Sequence, residues 1–132
     1  MPARIVLTAF GAFMVYLVVA ANTGVFPEFL GFYRQIPYGD AVGHFCLMGT
    51  LSFLAVWATK ARAMRLIGLR LPVGAVVVLI VVVLEEVSQL FVAKRTFSVI
   101  DLTADFLGIV ILGGLATRLV RSAAVDKQNP AQ

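Results

Sequence analysis

Glu85, Glu86, Gln89, Lys94, Arg95, Asp101 and Asp105 fall within one stretch, Leu84 to Gly108, that joins two strongly apolar runs. Side chains of these types could exchange protons with a substrate, hold the polar head of a ligand, or form a buried ion-pair network. An ionisable residue inside a membrane span is costly and marks a functional site by default. A second polar pair, Asp40 and His44, opens another apolar run. Four residues apart, the two share one helical face.

The elements that position these groups follow from composition and periodicity. Of 132 residues, 61% are hydrophobic and only 14% charged, with a mean hydropathy of +0.96. Soluble domains carry about 25% charged residues, so the chain is expected to be an integral membrane protein. One cysteine, Cys46, excludes an internal disulfide and a cysteine-rich zinc site. The net charge of +4 does not point to nucleic acid, because the basic residues flank apolar runs and form no stripe. The expected fold is all-α, a four-helix transmembrane bundle. Residues 1–121 form its single domain and 122–132 a flexible cytoplasmic tail.

The first apolar run, Ile5 to Ala21, reaches the lower limit of about 17 residues for a span. It exceeds the usual signal-peptide core of about 7–15 residues, although Val19-Ala20-Ala21 resembles a cleavage site. A retained span is expected. Residues 22–39 contain Pro27, Pro37, Phe26, Phe29, Phe32, Tyr33 and Tyr38. Aromatic rings favour the headgroup level, so this segment is expected to be a short amphipathic stretch on the outer surface. The second span runs from Asp40 to Thr59, with Asp40 as N-cap or first-turn carboxylate. A basic loop, Lys60 to Pro72, leads to a third span from Val73 to about Val92 and a fourth from about Asp101 to Val120. Gly108, Gly113 and Gly114 suit close helix packing.

Eight basic residues then lie on one side (Arg4, Lys60, Arg62, Arg65, Arg70, Arg118, Arg121, Lys127) and three on the other (Arg34, Lys94, Arg95). The positive-inside rule places both termini in the cytoplasm. At 1.5 Å per residue, His44 and Asp105 lie about 6 Å below the outer surface and Glu86 about 10 Å. Three helices thus bring polar groups to the outer half, while the inner half continues as Leu47, Leu51 and Leu112. The absence of polar stepping stones argues against a channel or proton relay.

Two blocks resemble the VanZ-like family of small bacterial membrane proteins. The first is Asp40 and His44 opening a span. The second is Glu86, Gln89, Arg95, Asp101, Asp105 and Gly108 at fixed spacing. The chain departs from the family pattern at Ala41, Met48 and Asp105, where the family often has Lys, Tyr and Asn. The last change adds an acid, which calls for a shared proton or a nearby cation. The family is named for a protein linked to resistance to teicoplanin, a lipid-tailed glycopeptide. The resemblance implies a multi-pass protein of the bacterial cytoplasmic membrane with a cell-envelope role.

Three readings stay open. Asp40, His44, Glu85, Glu86, Gln89, Arg95, Asp101 and Asp105 could bind the head group of an envelope lipid, a lipid-linked glycan or a lipoglycopeptide, with Arg95 forking onto a phosphate or carboxylate. His44 with Glu86 or Asp105 could catalyse acid–base chemistry on a lipid-linked substrate. No nucleophile is evident, since Cys46 lies about 200° round the helix from His44. The third reading is a buried network that only fixes helix packing. N/O ligands at His44, Glu86, Asp101 and Asp105 could hold a metal, but a lone histidine without ligand-pair spacing speaks against one. No cofactor is expected. The expected partners are membrane lipids and an amphiphile at the outer leaflet, with a homodimer through Gly49, Gly113 and Gly114 as a further option.

Overall fold

Apolar residues spaced three or four apart give each long run of this chain one face to bury and one to expose. On Val73–Gln89 the buried positions are Gly74, Val78, Val82, Glu86 and Gln89, and that stripe carries Glu86 inward. The computed structural model describes residues 2–25, 36–91 and 98–128. Within them are α1 (Pro2–Thr23), α2 (Gly39–Ala58), β1 (Ala63–Leu66), β2 (Leu69–Pro72), α3 (Val73–Gln89) and α4 (Val99–Gln128). By length and composition, α1, α2 and the Val99–Asp126 part of α4 can each cross a membrane. The third helix has 17 residues and rises about 26 Å. It stops at Gln89, short of the Val92 expected from the apolar run. The aromatic surface segment expected before α2 falls largely on residues 26–35, outside the described residues.

The tightest contact joins α2 and α4, which run parallel. A Cβ on Gly108 would collide with the Phe45 carbonyl oxygen, and one on Gly49 would lie 2.6 Å from Leu112 Cδ1. A Cβ on Gly113 would lie 2.5 Å from Ser52 Oγ, whose hydroxyl donates to the Ile109 carbonyl at 3.2 Å. Gly49 and Gly113 are therefore consumed inside the protomer and do not offer the dimer face expected of them. Gly114 alone of that set is open. The antiparallel α3 docks through Gly74, where a Cβ would strike the backbone of Ala55 and Val56. The core packs Met14 and Leu17 of α1 with Met48, Ala55, Val78, Val82 and Ile109. The outer faces carry exposed Val15, Val77, Ile80, Val81, Val110 and Ile111, as lipid-facing surfaces do.

Two expectations need correction. In place of the expected basic loop over 60–72, residues 63–72 are a β-hairpin, with Ala63↔Pro72, Met64↔Leu71, Arg65↔Arg70 and Leu66↔Leu69 paired antiparallel. The period-2 alternation of Met64, Leu66, Leu69 and Leu71 with Arg65 and Arg70 is a strand pattern that the charge of the segment obscured. A Schellman motif precedes it: Ala61 N–H donates to the Val56 carbonyl and Lys60 N–H to that of Trp57, with Lys60 left-handed at φ 54. Second, α4 overruns Val120 and continues to Gln128, including part of the expected flexible tail. No glycine or proline interrupts Arg121 to Gln128, and alanine, lysine and glutamine favour the helix.

The hairpin turn is Ile67-Gly68, with φ 50 and 76. Two central residues at positive φ mark the type I′ family, which favours Asn-Gly. A β-branched residue there is strained, at about 1–2 kcal/mol. Ile67 is 93% exposed, so its side chain gains little by packing. Ile67→Asn is expected to stabilise the protein by about 1 kcal/mol, read as a higher thermal midpoint. An unchanged midpoint would show that the turn is not strained.

Candidate functional site

Four polar side chains are buried among the described residues: Ser52, Glu86, Gln89 and Asp105. Ser52 belongs to the α2–α4 contact. The other three meet His44 at one locus. The burial stripe of α3 turns Glu86 and Gln89 inward and leaves Glu85 half-buried on its flank. On α4 the same spacing lines up Asp105, Gly108, Ile109, Gly113 and Ala116. On α2, His44 lies one turn above Met48 and Gly49.

His44 Nδ1–H donates to Asp105, 3.1 Å from Oδ1 and 3.2 Å from Oδ2. The Gln89 amide donates to Glu85 Oε2 at 2.8 Å and to Glu86 Oε1 at 3.1 Å. One ligand-type atom from each of His44, Glu86 and Asp105 lies within 4.8 Å of the others. Glu86 Oε2 is buried with no hydrogen-bond partner among the described residues. Carboxylates this close in a low-dielectric interior need a counter-charge, supplied by a proton, a basic side chain or a cation.

Asp40 and Asp101 lie outside this close group, although Asp101 is near enough to act electrostatically on His44 and Glu86. With Ser98, Ile36, Tyr38 and Ile100 they line an open depression of about 320 Å³ at the N-terminal ends of α2 and α4. Asp40 is exposed in the first turn of α2, and the N-cap position is held by Tyr38 at φ 60, so the N-cap alternative for Asp40 is corrected. Ser98 Oγ accepts from the Asp101 N–H at 3.2 Å and caps α4. Both aspartates complement the helix dipole from the first turn. Arg95, expected at the mouth of the site, lies outside the described residues, as does Lys94.

The cluster can accept hydrogen bonds or a cation, and His44 with Asp105 can exchange a proton. No activated nucleophile accompanies it among the described residues. Cys46 is exposed, Ser88 donates to the Glu85 carbonyl at 2.7 Å, and Ser98 is a helix cap. The depression and the cap of Ser98 were missed in the sequence, although Ser98-x-x-Asp101 has the spacing of a capping pattern. Among the described residues, the buried core beyond the cluster is apolar apart from the bonded Ser52 hydroxyl.

No protein-family model, curated protein or solved structure matches this chain.

Proposed function

We propose that this chain is a VanZ-like protein that crosses the bacterial cytoplasmic membrane four times, with both termini in the cytoplasm, and binds the polar head of an amphiphile at the outer leaflet. An envelope lipid, a lipid-linked glycan or a teicoplanin-type lipoglycopeptide has the required chemistry. The observation that carries this reading is the meeting of His44, Glu86, Gln89 and Asp105 from three helices at one end of an otherwise apolar bundle. In this orientation the cluster lies about one to two turns below the outer surface, and the Asp40/Asp101 depression is the approach to it. Carboxylates accept from hydroxyls and amines of the head group, and Arg95 pairs with its phosphate or carboxylate. The apolar helix faces hold the lipid tail.

The four-crossing topology requires α3 to span although it is shorter than its neighbours. Its rise of about 26 Å against a hydrocarbon core of about 30 Å is a mismatch that local thinning accommodates at modest cost. The basic hairpin then lies on the cytoplasmic side with Arg118 and Arg121.

The full burial of Glu86 and Asp105 favours a second reading, a network that holds helices together and binds nothing. Native mass spectrometry of the protein purified with its own lipids separates the two. The binding reading expects a bound amphiphile that is lost in Asp105→Asn. Adduct-free wild-type protein, together with no retention of a fluorescent lipoglycopeptide, would remove it.

A further inference from the structure

We infer that His44, Glu86 and Asp105 form a binding site for one first-row divalent transition-metal ion. Each of the three helices α2, α3 and α4 contributes one ligand. Their atoms are within 4.8 Å of one another. Bonds of about 2.0–2.2 Å put two ligands of a tetrahedral ion about 3.3–3.6 Å apart. The widest pair must therefore close by a little over an ångström, which rotations of the Glu86 and Asp105 side chains can supply.

The state of Glu86 is the second, independent observation. Its two oxygens are treated differently: Oε1 receives the Gln89 amide at 3.1 Å, while Oε2 is buried and partnerless among the described residues. A buried carboxylate oxygen without a donor is expensive. A carboxylate with one oxygen fixed by an amide and the other left bare has the organisation of a metal ligand with its outer-shell support. Gln89 also holds Glu85 and so ties a second acid to the rim of the site.

Charge points the same way. Glu86 and Asp105 carry two negative charges when ionised, and neutral His44 adds a nitrogen donor. A divalent cation neutralises the two carboxylates, and neutral His44 binds it through one ring nitrogen while its single N–H stays on the other. One imidazole and two carboxylates suit zinc, manganese, iron or cobalt in the divalent state better than calcium or magnesium. Three protein ligands leave at least one coordination position for an outside oxygen donor. The ion would occupy carboxylates that the head-group reading also uses, but the tests separate the two: the metal titration can fail while lipid retention stands, and the reverse.

The test uses full-length protein stripped with a chelator and titrated with Co2+ and then Zn2+. One Co2+ per chain with a visible ligand-field spectrum, displaced by Zn2+, is expected. His44 is the only histidine, so a single 15N-imidazole signal set must move as the metal binds. Glu86→Gln and Asp105→Asn each remove a direct ligand. Outer-shell changes cost about 10–100-fold in affinity, so these variants are expected to lose at least about 100-fold, while Asp126→Asn at the exposed end of α4 binds normally. Imidazole signals that stay fixed at millimolar Zn2+ in the wild-type protein would overturn the site, whatever the folding of the variants. Unchanged affinity in both carboxylate variants would overturn it as well.

Discussion

Gly108→Leu is expected to prevent α2 and α4 from closing, with a loss of more than about 3 kcal/mol. Even a single Cβ at this position meets the Phe45 carbonyl oxygen, and Gly49 N lies only 3.1 Å from it. Those neighbours are backbone, so no rotamer change relieves the collision, and the helices must separate. Separation would also pull Asp105 away from His44, since both lie within one turn of the contact. Gly114→Leu is the matched control. Gly114 is exposed, and a Cβ there would meet no atom within 4 Å, so the same substitution should leave the protein intact. Fluorescence of Trp57, the single tryptophan, reports thermal unfolding in detergent or nanodiscs. A midpoint shift below about 4 °C for Gly108→Leu, equivalent to roughly 1 kcal/mol, would contradict the described interface.

The second large effect concerns Asp105. Asp105→Ala is expected to lower amphiphile retention more than about tenfold, the equivalent of roughly 1.4 kcal/mol in binding. Its effect on stability should be smaller than the Gly108→Leu effect. Interhelical polar contacts in membranes average about 0.6 kcal/mol and reach about 1.7. A double-mutant cycle with His44→Ala and Asp105→Ala, read by thermal unfolding, should return a coupling in that range. His44 keeps 24% of its side-chain surface, so it can recover a partner from solvent or lipid head groups when the carboxylate is removed. If retention survives Asp105→Ala while the coupling energy is present, the cluster serves helix packing and the head-group proposal fails.

Much of the helical layout was legible in the sequence because long apolar runs bounded by charges have few other outcomes. Depth counting along three runs also anticipated that His44, Glu86 and Asp105 would approach each other. The same counting puts Asp40 and Asp101 at the starts of their spans, one turn above His44 and Asp105, where they line the depression, and Asp101 still acts electrostatically on His44 and Glu86. The parallel contact of α2 with α4 was not legible, because a glycine's neighbour is decided by which helices touch. Gly49 and Gly113 could equally have faced a second copy. The hairpin was hidden behind its arginines, although Ile67-Gly68 and the alternating leucines were in view. His44, Glu86 and Asp105 were legible as possible N/O ligands, but their approach to within 4.8 Å from three separate helices leaves no spacing signature within any one helix.

The two halves of the closest helix pair are made at different times. His44 and Asp105 are 61 positions apart along the chain. At about 5–20 residues per second, a ribosome needs roughly 3–12 s to synthesise the intervening segment. During that interval the second helix must wait at the insertion machinery or in lipid with its imidazole unmatched and its glycine groove uncovered. Emergence of α4 is therefore the event that locks α2 in place, and release of the nascent chain before Asp105 appears would leave an unfinished, quality-control-prone intermediate.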